Sequence, residues 1–429
     1  MPYFNDLAKK FETLHNWLDV RKEQGADMKP VAKEIECFLQ EQIKRMEGLQ
    51  PPDKYDEPNS LRDIKRARAK GPRKLIYNLS NEELYNKMLG ALLGRGAGCL
   101  LGIPIEGKDK AFIEAWAKKL GQPYPLAEYW KDWPGVHRTH GDEPIENFVL
   151  PIDHLGPDDD LVYTTLGLLI LEERGINFTS QDVGDMWLKY LPRACTAEHI
   201  ALENLKKGIK PPKTATKNNP FFEWIGADIR SDPWGYAAPG LPEKAAEYAY
   251  RDACVSHVKN GIYGEMFFSA AIATAFVESD MRKILQIAAT EIPAKSRMAA
   301  TVKQTIRWCE VDGDWSKTWD RFSKEYKGMH GVHTLNNVCL TIMALLYGKN
   351  DLEKTISYAV MGGYDTDCTG ATAGSIVGAI IGAEKLPKKW VGCFNDTHTT
   401  YLINQGPYKI SDLANRFCNV AGKVRSDFA

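Results

Sequence analysis

The sequence predicts an all-α fold. Most segments carry apolar residues at helical spacing. Runs of β-branched residues with alternating polarity are nearly absent. Two long apolar stretches, near residues 90–102 and 370–382, carry a glycine at every fourth position. A compact multi-helix orthogonal bundle with long loops accommodates all three observations.

Residues 1–75 read as a helical extension ahead of a main domain at 76–429. FNDLAKKFETLHNWL and KPVAKEIECFLQEQIKRM both show helical periodicity, and PPDKYDEPNS closes them with prolines and turn formers. The basic run that follows, SLRDIKRARAKGPRK, is expected to be a solvated face.

The main domain opens on SNEELYNKMLGALLGRGAGCLLG. Ser80 and Glu83 have the spacing of a capping box. Gly90, Gly94, Gly98 and Gly102 fall on one face, because positions i and i+4 of a helix lie one above the other. Each glycine costs about 0.5–1 kcal/mol of helix stability relative to alanine. The second row, Gly370, Gly374, Gly378 and Gly382, repeats the device near the C-terminus. The two helices are therefore expected to pack backbone to backbone at the centre of the domain. Between them DLVYTTLGLLILEERG, SQDVGDMWLKYL, EKAAEYAYRDACVSHV, EMFFSAAIATAFVES, KSRMAATVKQTIRWCE and NNVCLTIMALLYG read as helices. Residues 207–242, rich in Pro, Asn, Gly and aromatics, read as one long loop.

Composition narrows the function classes. Hydrophobic residues make up 44% and charged residues 26%, with a formal net charge of −1. That balance gives no support for a surface that binds nucleic acid or an anionic membrane. No apolar run is read as reaching the ~20 residues needed to span a bilayer. Nine cysteines without a CxxC pair fit reduced thiols in a cytoplasmic protein rather than a disulfide framework. The N-terminus carries acids and no apolar core, so a secretory leader is not expected.

Chemistry concentrates where acids meet helix starts. PDDDLVYTT brings Asp158, Asp159 and Asp160 together, YDTDCTG carries Asp365 and Asp367, and Glu106 follows the first glycine helix in GIPIEGK. Capping explains one Asp at each start. Three consecutive carboxylates repel one another unless a cation offsets them, and Mg²⁺, Mn²⁺ or Ca²⁺ takes oxygen ligands of this kind. The DxDxT pattern at 365–369 also matches the nucleophile signature of haloacid-dehalogenase-type phosphatases. That motif belongs at the end of a buried strand early in an α/β domain, and no parallel-sheet pattern accompanies it here.

Taken together, GALLGRGAGCLLGIPIEG, DDDLVYTTLGLLILEE and GGYDTDCTGATAGSIVGAIIG resemble the signature blocks of the ADP-ribosylglycohydrolase family, all-α enzymes related to dinitrogenase reductase-activating glycohydrolase. The blocks stand in the family's order over about residues 90–382. VSHVKNGIYGEMFFSAAIA resembles the family's Gly-Asn-Gly loop ahead of a helix. The resemblance implies one or two Mg²⁺ (or Mn²⁺) ions held by Asp159, Asp160, Asp365 and Asp367, with Asp158 and Cys368 in the same blocks. It implies Glu106 as general acid/base, with Asp159 and Asp367 beside it. It implies a small-molecule or ADP-ribosylated substrate, whose ribose 2′- and 3′-hydroxyls the metals hold while water attacks the anomeric carbon.

Three positions depart from the family pattern: Asp158 and Leu161 stand at usual Thr positions, and Cys368 stands where Thr or Ser is usual. A hydrolase of another nucleoside or glycoside, or a non-catalytic ADP-ribose-binding or Ca²⁺-stabilised protein, are the alternatives these departures leave open. Asn260, Gly261, Tyr263 and Gly264 are the expected substrate-binding residues, at a helix start suited to a diphosphate. Phe221, Phe222, Trp224, Arg230 and Trp234 are either a substrate wall or local packing, and His257 and His333 are either groups that support or face a substrate or satisfied, partly buried histidines.

Overall fold

A computed structural model describes residues 2–49, 54–135, 139–141 and 143–428. The chain divides into two compact units, 1–54 and 55–429. The first contains α1 (Pro2–Glu23) and α2 (Lys29–Glu47). The second begins with α3 (Leu61–Ala67), α4 (Asn81–Gly102), α5 (Lys110–Lys119), α6 (Asp159–Arg174), α7 (Ser180–Tyr190) and α8 (Thr196–Lys206). It continues through α9 (Asp232–Ala237), α10 (Pro242–Ala253), α11 (Asn260–Ala275), α12 (Met281–Ala289), α13 (Arg297–Asp312) and α14 (Trp315–Glu325). It ends with α15 (Thr334–Gly348), α16 (Leu352–Met361), α17 (Thr366–Ile381), α18 (Lys388–Val391) and α19 (Ile410–Phe428). Among the described residues, strands are confined to two antiparallel pairs of two residues each, beside isolated bridges such as Leu155 with His398. The all-α expectation holds.

Local chemistry starts the helices where the sequence signals them. Ser80 and Glu83 form the reciprocal capping box of α4, the Ser80 amide donating to Glu83 Oε2 at 2.8 Å. Asp109, Ser296, Asp314 and Asp351 each cap the helix that follows them with a side-chain oxygen.

The glycine rows face each other as expected. Gly90 opposes Gly378, Gly94 opposes Gly374 and Gly98 opposes Gly370, so α4 and α17 run antiparallel with their backbones in contact. A methyl carbon on Gly90 would stand 2.5 Å from the Gly378 carbonyl oxygen, where no real side chain fits. The Thr366 hydroxyl closes this seam by donating to the Gly102 carbonyl at 2.8 Å. Around the pair lie α11, buried at every residue, and α15, buried along most of its length.

Three sequence expectations need correction. The segment Asn81–Ile105 is long and apolar enough to cross a membrane by length and composition, but 89% of that window is buried inside the protein, so it is a core helix. Residues 225–240 are not a surface loop. They form a 3₁₀ helix (Ile225–Arg230) and α9, almost wholly buried, because Arg230 finds Asp252, Glu198 and Ser256 in the interior. The basic run at 60–74 is not merely a solvated face. Arg68 pairs with Glu243 (2.5 Å) and Glu291 (2.7 Å), Arg73 with Glu291 (2.6 Å), and Lys65 with Glu247.

Candidate metal centre

The Glu106 turn and the Asp365 turn are stitched together by backbone. The Gly107 amide donates to the Tyr364 carbonyl (2.9 Å), and the Tyr364 amide donates to the Lys108 carbonyl (3.1 Å). Tyr364 adopts φ +69° and Gly363 φ +78° to make this turn. A bulky residue in the left-handed region costs energy, which the paired backbone offsets. The result sets Glu106, at the end of α4, beside the start of α17.

The start of α6 supplies the opposite wall. Asp158 is its N-cap, accepting from the Asp160 amide at 2.9 Å. Its second oxygen accepts from His140 Nε2 at 2.6 Å, and the Cys99 thiol donates to Oδ1 at 3.3 Å. His140 Nδ1 lies 3.7 Å from Glu106 Oε2, so the imidazole links the two acids.

Beneath them Arg95, 1% exposed on α4, pairs with Asp232 at 2.5 Å and Asp160 at 3.3 Å. It also donates to the Asp160 and Ile229 carbonyls.

Ligand atoms from these groups converge into clusters of three, each within 4.8 Å: Cys99–Asp158–Asp160, Asp160–Asp367–Cys368, and Glu106–His140–Asp367. Asp160 and Asp367 are shared, so the clusters form one continuous row. Buried oxygens of Asp160 (Oδ2), Asp365 (Oδ1) and Asp367 (Oδ1) have no hydrogen-bond partner. Asp365 precedes α17 at the cap position yet makes no cap hydrogen bond; its side chain meets Cys368 and Asp367 instead. Buried polar groups are normally paired, so orphaned acceptors converging here fit a cation.

The electrostatics agree. Burial, then the charge of Asp158, holds Asp159 up to about 7 and Asp367 up to about 6. Burial also lifts Asp160 and Asp365 well above the carboxylate range, aided by Asp158 and Asp367 respectively. Glu106 is raised to about 8, chiefly by the Asp367 charge and then by burial. Asp158 moves the other way. Burial would raise it, but the His140 hydrogen bond and charge outweigh that. His140 in turn is held up to about 10: the hydrogen bond and charge of Asp158 override the burial that would lower it.

The structure thus brings together Glu106, Asp158, Asp160, Asp367 and Cys368, and stands Asp159 and Asp365 beside them outside the tight clusters. The Thr369 hydroxyl is committed to the Asp365 carbonyl (2.9 Å). His140, Cys99 and Arg95 escaped the sequence reading. For Cys99 the signal was its place beside Gly98 in the glycine row, whereas His140 stands in no periodic pattern.

The remaining expected residues lie elsewhere in the hydrogen-bond network. Asn260, Gly261, Tyr263 and Gly264 are buried. Asn260 donates to Glu57 (3.0 Å) and Glu223 (2.8 Å) and accepts from the Met298 amide, while the Tyr263 hydroxyl donates to the Pro58 carbonyl at 2.6 Å. None of these bonds reaches the acid row. They anchor residues 57–59 to α11 and α13. Of the aromatic segment, Trp234 is buried and donates to Glu265 at 2.8 Å, and Trp224 stacks on His330 at 4.2 Å. His257 is buried, bonded to Ser256 at 2.8 Å, and His333 caps α15.

An all-α bundle thus sets a carboxylate row where the end of α4 meets the starts of α6 and α17, a donor set suited to a divalent cation. The ADP-ribosylglycohydrolase family model matches residues 80–426, and the chain belongs to that family. Among solved structures it is similar to an ADP-ribosylglycohydrolase-related protein complex, with a TM-score of 0.51 and 19% identity over 79% of this chain and 99% of that one. That likeness concerns the fold. No curated protein matches the chain.

Proposed function

We propose that the protein is a divalent-metal-dependent hydrolase of an N- or O-glycosidic bond to ADP-ribose or a related ribosyl group. One observation carries the reading: unpartnered buried oxygens of Asp160, Asp365 and Asp367 converge beside Glu106 in a chain of this family. Asp158, Asp159, Asp160, Asp365 and Asp367 would hold one or two ions, with Mg²⁺ the first expectation and Mn²⁺ or Ca²⁺ admissible by ligand type. A bound cation would supply charge neutralisation and hold substrate hydroxyls at the site.

The chain's own groups then divide the proton work. Glu106 stands at the mouth, 42% exposed, and the Asp367 charge beside it favours its protonated form until a cation offsets that charge. It is placed to give that proton to the leaving group, or to take one from the attacking water. His140, fixed by Asp158, stands 3.7 Å from the Glu106 carboxylate. Asp159 and Asp367 border the same space. Water adds to the anomeric carbon, the glycosidic bond breaks, and the leaving group departs with the proton. A small-molecule or ADP-ribosylated substrate fits this chemistry. A cytoplasmic setting fits the free thiols among the described residues.

The test is release of ADP-ribose from ADP-ribosylated substrates with and without Mg²⁺. Asp160→Ala and Asp365→Ala should each abolish the metal-dependent release, and full activity in both would sink the assignment. Cys368, where a hydroxyl is usual, favours one second reading: a non-catalytic ADP-ribose binder. Calorimetric binding of ADP-ribose without turnover of any ribosyl substrate would support that reading.

A further inference from the structure

We propose that the Asp160–Asp367–Cys368 cluster takes a thiophilic divalent cation of the zinc class, with the Cys368 sulfur as a ligand. The inference rests on the divalent-cation reading above, and it concerns which ion the middle of the row selects.

Three observations carry it. The Cys368 sulfur and one oxygen each from Asp160 and Asp367 lie within 4.8 Å of one another. Both acids are at least 97% buried and each keeps one oxygen without a hydrogen-bond partner, although the other Asp160 oxygen pairs with Arg95, so a ligand oxygen on each acid remains unsatisfied. The hydroxyl that could have completed an all-oxygen shell, that of Thr369, donates to the Asp365 and Thr366 carbonyls instead. On the far side of Asp160 a second thiol, Cys99, joins Asp158 and Asp160 in the same way and donates to Asp158, as Cys368 bonds Asp365.

Magnesium demands near-octahedral oxygen ligation and gains little from sulfur. Zinc accepts mixed sulfur and oxygen donors at low coordination number, and a coordinating thiol gives up its proton to become the ligand. The row therefore offers carboxylate oxygen at Asp365 and Asp159 for a hard ion and a sulfur-bearing set at Cys368 for a softer one. The neighbouring thiol is distinguishable by mutation, which makes the assignment specific to one sulfur.

Cobalt(II) is the probe, because a Co–thiolate bond absorbs strongly in the near ultraviolet and Co–carboxylate bonds do not. Metal-stripped full-length protein is titrated with Co²⁺, with bound metal counted by calorimetry. The wild type should show the charge-transfer band, Cys99→Ser should keep it, and Cys368→Ser should lose it while still binding Co²⁺ through carboxylates. Zinc affinity should fall at least about tenfold in Cys368→Ser, with magnesium affinity held. Wild-type protein that binds Co²⁺ without the band overturns the inference with no variant needed, as does a band that survives Cys368→Ser. The band without release of ADP-ribose leaves the inference standing and removes the hydrolase reading. Release with Mg²⁺ and no band removes the inference alone.

Discussion

At Asp365 a helix-starting acid leaves its own cap unmade, and at Asp158 a neighbouring acid makes it. The two acids thus meet their helices differently within one site, and Arg95 offsets part of the charge crowded there. Its guanidinium is the buried cation that faces Asp160 and Asp232. Removing one partner of a buried ion pair leaves the others uncompensated, at a cost of about 3–5 kcal/mol. Arg95→Met should lower the unfolding free energy by that amount in urea titrations, and a loss under about 1 kcal/mol would assign the pairing little weight.

His398, 4% exposed, gives a pH signature of its own. Burial lowers its pKa to about 4, so the folded protein keeps it neutral. The unfolded chain, with a pKa near ~6.5, binds the proton first as pH falls. The stabilisation is therefore whole above about pH 6.5 and is lost towards pH 4, on the order of 3 kcal/mol at most. In EDTA, the difference in stability between wild type and His398→Gln should shrink as pH drops from 7 to 4.5. A constant difference would refute the buried-neutral assignment. Residues such as His398 and His140 were illegible in the sequence because their chemistry comes from neighbours far along the chain. Asp158–Asp160 and Asp365–Asp367 were legible because like charges at adjacent positions demand an explanation wherever they fold.

On the scale of elements, the glycine rows were the most readable feature. A spacing of four translates directly into one helix face, and bare faces on two helices have a shared use. What the spacing did not reveal was register. Pairing Gly98 with Gly370 and Gly102 with the Thr366–Asp367 peptide is what places the Asp365 turn against Glu106.

Gly98→Ala should therefore cost at least about 1–3 kcal/mol through overpacking, and should reduce divalent-metal affinity because it displaces the start of α17. Gly422→Ala is the control. Nothing lies within 4 Å of the methyl it would add on α19, so it should stabilise by about 0.5–1 kcal/mol. Equal thermal shifts in the two variants would remove the argument that backbone contact, rather than glycine as such, sets the cost. The 225–240 segment was misread for the complementary reason. Its prolines and aromatics carry loop composition, and only the Arg230 ion pairs, made to residues 198 and 252, show why it is buried.

On the scale of the whole molecule, composition placed the extension's end near residue 75, at the close of the basic run. The compact units divide at 54/55. Residues 55–75 carry charges whose partners lie far along the chain. Glu57 accepts from Arg297 and Asn260, and Arg68 and Arg73 both reach Glu291, whose side chain is 0% exposed. A charge run shows its sign in the sequence but not its partners, so solvated and paired arginines look alike there.

Two truncations separate the alternatives. Removing residues 1–54 takes away a unit in which no described residue is buried, so the remaining protein should melt within a few degrees of the full chain. Removing residues 1–75 strips both arginines from Glu291 and should cost about 3–5 kcal/mol, since the glutamate is left buried and unpaired. Adding Glu291→Gln to the longer truncation should recover part of that loss, because the amide has no charge to desolvate. If both truncations melt alike and Glu291→Gln recovers nothing, the 55–75 segment is an appendage and its ion pairs contribute nothing measurable to the fold.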